Sequence, residues 1–267
     1  MADEIYRPLI ERMTWSYSRL KMFEECRYKF FLNYICKSQK EHKFYADYGR
    51  LVHKIIEMFY KGEIPKDKLV DEFRYSWSDY IKPETEPGVK QVIDYFSKGV
   101  KYFSNFEEFP YKTISIEETF NFSIDGENFT GRIDYLGEDE SGNLVLIDNK
   151  SRDLKPPSGR KKPTQYDLDR EEMFTQLYLY SYPIKEKYGK LPSKLCFNCF
   201  KNGNFIAEEF NEEQYDKAIK WALSTIEEAE NLTSDDIYPN IDYFRCNRLC
   251  SVCSSCCYYL EGGESNV

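Results

Sequence analysis

Two aspartates and a lysine near the middle of the chain have the types and spacing to bind a metal and act on a phosphate. Asp134 lies in one strand-like stretch, and Asp148 and Lys150 end the next. Turn residues at 139–142 predict a hairpin that places Asp134 across from Asp148. Like charges about 4.5–5.5 Å apart weaken a sheet, so a cation between the carboxylates is expected. Side chains alternate along a strand, so Lys150 shares a face with Asp148. The pattern predicts water activation and charge stabilisation on a phosphate.

The alternative is a surface hairpin whose charges are solvated. The stretch 144–147, Leu-Val-Leu-Ile, is apolar on both faces and is typical of a central strand. Charges that end a buried strand usually line a site or a cleft, which favours the catalytic interpretation.

Two helical segments carry further candidates. His53 lies in a helical stretch, residues 49–60, although a lone histidine is more often a packed or surface residue than a ligand. An imidazole joined to two carboxylates would favour Mn²⁺ or Mg²⁺. Gln176 and Tyr180 are spaced i and i+4 on a later helix, where they serve the core or hold the attacking water or a substrate phosphate. Glu118, on a predicted first strand, is expected to supply a supporting carboxylate or a ligand for a second metal.

A basic segment follows the predicted catalytic strand and is broken by proline, serine and glycine. We interpret it as a loop over the active site that contacts phosphates, and the alternative is a solvated linker. Its cationic residues are Arg152, Lys155, Arg160, Lys161 and Lys162.

The chain has nine cysteines, five of them near the C-terminus. Without a secretory signal, metal ligation is a stronger explanation than disulfides, and zinc or an iron–sulfur cluster fits this density of thiols. A rival zinc site would combine Cys196 and Cys199 with Cys250 and Cys253. Residues 194–200 look like a strand, however, where positions i and i+3 point to opposite faces. Buried structural cysteines are therefore favoured for Cys196, Cys199 and Cys36.

Composition narrows the class of protein. No apolar run reaches membrane-spanning length, and the N-terminus lacks a signal-peptide pattern, which indicates an intracellular, cytoplasmic enzyme. The net charge of −9 argues against a protein that coats nucleic acid but permits a nuclease with local basic groups. No GxxxxGK[ST] phosphate-binding loop is present in the sequence, so the chain is not its own ATP-driven helicase.

The predicted elements give an α/β (α+β) fold with a mixed central sheet flanked by helices. Helices are predicted at 14–36, 46–61, 66–82, 88–107, 166–187 and 212–231, and strands at 112–124, 128–137, 143–151, 193–201 and 204–209. We divide the chain into a helical region (1–110), a core (111–232), a cysteine-rich segment (233–260) and a disordered tail (261–267).

Four segments in this order resemble the RecB-type branch of the PD-(D/E)XK nucleases, over residues 16–257. That branch includes nuclease domains of bacterial recombination helicase–nucleases, CRISPR-adaptation nucleases and phage exonucleases. The segments are Ser18 to Cys26, Gly49-Arg-Leu-Val-His53, Asp134 with Asp148-Asn149-Lys150, and Gln176-Leu-Tyr-Leu-Tyr180. The resemblance implies a restriction-endonuclease-like core and a metal held by His53, Asp134, Asp148 and the backbone carbonyl of Asn149. It also implies that Lys150, Gln176 and Tyr180 take part in catalysis.

The same resemblance implies a 4Fe–4S cluster that joins the two ends of the chain. Cys26, Cys250 and Cys253 are the expected ligands, and Cys257 is favoured as the fourth because the family's last ligand tends to follow the CxxC pair. Cys246 and Cys256 stay open as the fourth ligand, and zinc as the metal.

The implied substrate is DNA, at single-stranded ends, with a helicase or recombinase as partner in recombination, repair or DNA processing. One alternative is a DNA-binding or repair-complex subunit with a structural cluster and little cleavage. Another is a zinc-stapled binding protein.

Overall fold

The computed structural model describes residues 3–85 and 87–259. The chain forms two compact units. Unit 1 comprises Met1–Ala46, Asn121–Thr130 and Lys220–Val267, and unit 2 comprises Asp47–Phe120 and Gly131–Ile219. Each unit is built from stretches that are separated in sequence, whereas the predicted division was contiguous. The predicted functional boundaries stay a prediction, and the predicted tail 261–267 lies outside the described residues.

The helices match the predicted positions in most cases. Their bounds are α1 (Asp3–Ile10), α2 (Tyr17–Glu25), α3 (Arg27–Phe30), α4 (Phe44–Tyr60), α5 (Leu69–Tyr80), α6 (Val89–Ser104), α7 (Gln165–Tyr188), α8 (Glu212–Glu230) and α9 (Tyr243–Arg248). In the described part of the chain, no helix has both the length and the apolar character needed to cross a membrane.

The predicted mixed sheet flanked by helices is confirmed. Its five strands are β1 (Lys112–Ile124), β2 (Glu127–Glu138), β3 (Leu144–Lys150), β4 (Lys194–Cys199) and β5 (Asn204–Glu209), in the order β1-β2-β3-β4-β5. The β2–β3 and β4–β5 pairs are antiparallel, and β3 pairs in parallel with β4. A parallel pair needs a crossover, which α7 provides.

The β2–β3 hairpin has the register that the sequence predicts. Tyr135 pairs with Ile147, so the same register places Asp134 opposite Asp148, one residue further along. The Asp139 carboxylate closes the turn by accepting the backbone N–H groups of Ser141 at 2.9 Å and Asn143 at 2.8 Å. Such side-chain bonds to the backbone two residues on are typical of aspartate in turns.

Within unit 2 the two faces of the sheet bury different side chains. Tyr135, Ile147 and Cys196 form part of an apolar cluster that packs against Tyr60 and Phe109. On the opposite face, Phe197 meets Phe174 of α7, with ring centroids 4.9 Å apart. The alternation leaves Asp148, which pairs with Phe197 in register, on the α7 face.

The predicted helix at 14–36 is wrong as a single element. Cys26 adopts an extended conformation (φ −163°, ψ 102°), ends α2 and caps the start of α3, and a π-helical turn follows at Phe31–Ile35. Ser16 caps the start of α2 by accepting the Arg19 N–H. Helix α1 was not predicted, and the cysteine-rich segment, for which no helix was predicted, contains α9.

Candidate active site

Three elements of unit 2 bring together a histidine and two carboxylates. His53 comes from α4, Glu117 from β1 and Asp134 from β2, and one ligand atom of each lies within 4.8 Å of the others. His53 Nδ1 is 3.3 Å from Asp134 Oδ2 and 4.0 Å from Glu117 Oε1. It is the only such group of three in the part of the chain that the structure describes. The donor set of one imidazole and two carboxylates suits Mn²⁺ or Mg²⁺.

Asp148, Lys150 and Gln176 form a closed ring of polar contacts beside this trio. Lys150 Nζ is 2.7 Å from Asp148 Oδ2 and donates to Gln176 Oε1 at 2.9 Å. Gln176 Nε2 in turn donates to Asp148 Oδ1 at 3.1 Å. The structure therefore brings together three of the predicted site residues from β3 and α7, with the lysine ammonium fixed between two acceptors.

Asp148 is a buried carboxylate at the end of β3, with 3 % of its surface exposed. Burial raises the pKa of its carboxyl, Lys150 opposes that rise and Asp134 adds to it. Its Oδ2 lies 2.7 Å from the Lys150 ammonium, which is its ion-pair partner. A bound cation would relieve the repulsion between the Asp148 and Asp134 carboxylates.

Asp134 is tied to strand β3 through the neighbouring backbone. Its Oδ2 accepts the Asn149 N–H at 2.7 Å, and the Asn149 side-chain oxygen accepts from Asn198 Nδ2 at 2.7 Å. Asn149 therefore positions Asp134 through its backbone N–H. The predicted metal bond from its carbonyl stays a prediction.

Glu117 is the site residue that the sequence analysis missed. Its backbone has φ 51°, a left-handed conformation that is uncommon for a residue other than glycine. Burial, and then the nearby Asp134, raise the pKa of its carboxyl to about 7, and Arg132 Nε lies 2.6 Å from its Oε2. A cation bound here would favour the ionised form.

The neighbouring Glu118 lies elsewhere, which corrects its expected role. Its carboxylate accepts from Lys187 and from the Tyr188 hydroxyl, the latter at 3.0 Å. Of the two glutamates, Glu117 therefore reaches the site and Glu118 is bound by Lys187 and Tyr188. The carboxylate expected of Glu118 is supplied by Glu117.

Tyr180 forms the wall behind the aspartates. It is buried, and burial and then Asp148 raise the pKa of its phenol. Its ring lies against Gly131, where an added Cβ would be 2.8 Å from Tyr180 Cε1. Glycine at position 131 is thus required for the close packing of β2 on α7.

The predicted basic loop is exposed but partly engaged with α7. Arg152 lies 2.9 Å from Asp169, and Lys155 lies over the Tyr166 ring at 3.9 Å. Arg160, Lys161 and Lys162 are exposed. The Asp167 carboxylate accepts from Ser158 and from the capping residue Thr164, and these bonds hold the pKa of Asp167 well below its usual range.

A second candidate centre lies in unit 1, where Cys26 shares an environment with the C-terminal cysteines. Cys26 Sγ accepts the N–H groups of Lys29 at 3.3 Å and Asn240 at 3.4 Å. Burial raises the pKa of Cys250 and of Cys256, and interaction with Cys26 adds to both. Burial and then Cys250 and Cys246 raise the pKa of Cys253. Burial is the main cause in each case, and the neighbouring thiols add to it.

The predicted burial is confirmed for Cys196 and Cys199 and is wrong for Cys36, which is exposed. Cys196 and Cys199 are buried on β4, and burial raises the pKa of both thiols. Cys196 belongs to the apolar cluster with Tyr135 and Ile147. Cys257 lies 3.3 Å from the Tyr28 hydroxyl.

A mixed five-stranded sheet with paired aspartates and a lysine at the end of a central strand defines the restriction-endonuclease-like class of folds. The family profile of the PD-(D/E)XK nuclease superfamily matches residues 14–257. The chain therefore belongs to the PD-(D/E)XK nuclease superfamily.

A solved structure shares this fold. A protein described as a "Putative exonuclease" from Eubacterium rectale is similar at a TM-score of 0.54 with 12% identity, covering 95% of this chain and 90% of that one. A protein designated SSO0001 is 16% identical over 89% of this chain and 97% of its own, at a TM-score of 0.29 that is too low to support an argument. A comparison with curated proteins gave no match.

Proposed function

We propose that this nuclease is an Mg²⁺- or Mn²⁺-dependent deoxyribonuclease that hydrolyses phosphodiester bonds from single-stranded DNA ends. The observation that carries the proposal is the His53–Glu117–Asp134 trio beside the ring of Asp148, Lys150 and Gln176. These residues supply metal ligands and a fixed ammonium within one site. Hydrolysis of a phosphodiester bond needs both.

Each side chain has a distinct proposed task. His53, Glu117, Asp134 and Asp148 would hold one or two cations. A bound cation lowers the pKa of a water and offsets charge on the scissile phosphate. Lys150 orients that water or stabilises the charge that develops on the phosphate. Gln176 fixes the direction of the Lys150 ammonium, and Tyr180 excludes solvent behind the aspartates.

The choice of substrate is supported by the local charge. The basic loop 152–162 belongs to unit 2, as the metal trio does, and exposes Arg160, Lys161 and Lys162. Exposed cations suit contacts to phosphates. The structurally similar protein described as an exonuclease supports end-directed cleavage. We place the chain in the RecB-type branch, acting in recombination, repair or DNA processing with a helicase or recombinase.

We further propose that unit 1 holds a 4Fe–4S cluster, with Cys26, Cys250 and Cys253 as three ligands. Two N–H donors on Cys26 Sγ suit a thiolate ligand, because hydrogen bonds to sulfur stabilise its negative charge. Cys256 interacts electrostatically with Cys26 and Cys250, and Cys246 does so with Cys250 and Cys253. Cys256 and Cys246 are therefore candidates for the fourth position, beside Cys257.

The test uses anaerobically purified protein and end-labelled single-stranded DNA with Mn²⁺ or with EDTA. Wild-type protein is expected to shorten the strand only with the metal. Asp134→Ala and Lys150→Ala should each lower the rate by at least about 100-fold while the far-ultraviolet circular dichroism is unchanged. Lys185→Ala, at an exposed position of α7 outside the site and the loop, is the matched control for Lys150. Metal-dependent cleavage at the wild-type rate by either site variant would contradict the proposal.

A further inference from the structure

A cavity of about 670 Å³ opens on unit 2, outside the proposed metal site. Its lining combines aromatic rings and lysines, including Tyr102, Phe109, Phe205, Lys101 and Lys201. Three lysines and two glutamates line the cavity, and of the lysines Lys98 is paired with Asp94 at 2.8 Å whereas Lys101 is exposed. Aromatic faces beside cations are the two components of a binding site for single-stranded nucleic acid.

The ring at the mouth of this cavity is exposed. Phe205, on β5, has 43% of its surface exposed and lies 5.9 Å from Phe109, between ring centroids. The two ring planes are tilted by 43°. A large exposed apolar ring at the edge of a cavity has a face on which a planar base can stack.

The cavity wall is connected to the metal ligands by short contacts. Asn198, which lines the cavity, donates to the Tyr102 hydroxyl and to Asn149, both at 2.7 Å. Asn149 in turn donates its N–H to Asp134. Phe200 also lines the cavity, and its ring centroid is 5.8 Å from that of His53. A nucleotide in the cavity would therefore lie close to His53 and Asp134, on the face of the sheet opposite α7.

We infer that this cavity binds an unpaired base of the DNA strand close to the scissile phosphate, with Phe205 as the stacking surface and Lys101 as a phosphate contact. The inference rests on the proposed function, because it specifies how that substrate is held. Two observations select this occupant: the exposed Lys101 suits a phosphate of the strand, and the exposed Phe205 ring suits a base that is not paired. A base within a duplex presents its edges and not its face.

The experiment measures binding without catalysis. A fluorescein-labelled (dT)₁₂ strand and a blunt 12-base-pair duplex are titrated in EDTA and followed by anisotropy. Phe205→Ala is expected to weaken binding of the strand by about 5- to 100-fold and to leave duplex binding unchanged. Phe205→Trp should retain strand binding. Tyr75→Ala, which removes an aromatic residue that is 79% exposed on α5, is the matched control.

The lysine contact has a separate signature. Lys101→Gln should lower the slope of log K against log salt by about 0.7 for the strand, the change expected for one lost phosphate contact. Lys66→Gln, outside the cavity lining, should leave the slope unchanged.

Three outcomes would overturn the inference. In the first, Phe205→Ala binds the strand as tightly as wild type does. In the second, Phe205→Ala weakens binding of the strand and of the duplex equally. In the third, dTMP binds wild-type protein as tightly as (dT)₁₂ does, which would indicate a mononucleotide pocket. Each can occur while wild-type protein cleaves with Mn²⁺. Conversely, failure of cleavage together with the expected loss in Phe205→Ala would reject the nuclease proposal and retain the base pocket.

Discussion

At the scale of single residues, Glu117 shows how a backbone conformation can select a functional side chain. Its φ of 51° occurs within a strand, where most residues are extended. Residues held in this region cost about 1–3 kcal/mol and persist where the surroundings fix them. Here the conformation accompanies a carboxylate that lies beside His53 and Arg132. We interpret the strain as part of assembling the metal site.

The adjacent glutamates allow a matched test of this interpretation. Glu117→Gln should weaken Mn²⁺ binding by about 10- to 100-fold, because one charged donor is lost. Glu118→Gln should bind Mn²⁺ as wild type does, because Glu118 is paired with Lys187. Calorimetric titration with Mn²⁺ would measure both. A larger loss in Glu118→Gln than in Glu117→Gln would show that the ligand had been assigned to the wrong glutamate.

The sequence predicted Asp134, Asp148 and Lys150 together because strand alternation and turn length are local rules. It did not predict Glu117, since Glu117 and Glu118 are equivalent by composition and spacing. The left-handed backbone at Glu117 determines which of the two carboxylates reaches the site. No residue type in Ile114–Phe120 predicts a left-handed position. Asparagine, aspartate or glycine would have done so.

At the scale of elements, the site depends on how closely β2 approaches α7. Gly131 on β2 and Tyr180 on α7 are in contact, and a Cβ at Gly131 would lie 2.8 Å from the ring. The same helix carries Gln176, which holds Lys150 and Asp148. A change in this spacing would therefore alter both packing and the polar ring.

Gly131→Ala should lower the free energy of unfolding by about 1–3 kcal/mol through overpacking. Gly49→Ala is the control, because its nearest neighbour, Ser151 Oγ, would be 3.9 Å away and alanine is favoured in a helix. Urea unfolding monitored by fluorescence gives both values. Equal stability of Gly131→Ala and wild type would show that Tyr180 can move aside at no cost.

The elements themselves were mostly predictable, with one instructive failure. The apolar spacing of residues 14–36 continues across Cys26, so periodicity alone gave one helix. The chain instead becomes extended at Cys26, whose Sγ accepts the Lys29 N–H at the start of α3. A side chain that caps a helix replaces a backbone bond at a helix start. Cysteine is not among the usual capping residues, which is why the break was missed.

At the scale of the whole molecule, unit 1 is formed by the first and last parts of the chain with one short central stretch. Trp15 forms backbone bonds with residues 128 and 130, at 2.7 Å each, and Trp221 Nε1 donates to Glu24 at 2.6 Å. Glu41 accepts from the Ser254 N–H at 2.8 Å. Contacts between distant positions of this kind leave no mark in local sequence patterns, so the division into two units could not be predicted.

A cluster bound by Cys26 would strengthen these long-range contacts. Cys26→Ser should lose bound iron and its absorbance near ~400 nm, together with several degrees in Tm. Serine can still accept the capping N–H groups, so the change reports on the metal. Cys36→Ser, exposed in the same unit, should change neither quantity. Full iron content in purified Cys26→Ser protein would contradict the cluster assignment.

The fourth ligand can be assigned by parallel variants. Cys256→Ser should lower the iron content more than Cys257→Ser, because Cys256 interacts with Cys26 and Cys250 whereas Cys257 contacts Tyr28. The iron-to-protein ratio of each variant decides the assignment. The reverse order would restore Cys257, and a loss only in Cys246→Ser would assign Cys246.

Because unit 1 includes the last segment of the chain, it can be completed only at the end of synthesis. All of unit 2 has been made once the ribosome has passed residue 219, while unit 1 still lacks its last segment. Because domains fold as their residues emerge, we expect chains stalled soon after residue 219 has left the ribosome to protect unit 2 from protease and leave residues 1–46 open to cleavage. The cysteine centre would then be assembled last, after the sheet is complete. A metal that reached Cys26 early would find none of the C-terminal cysteines yet available as further ligands.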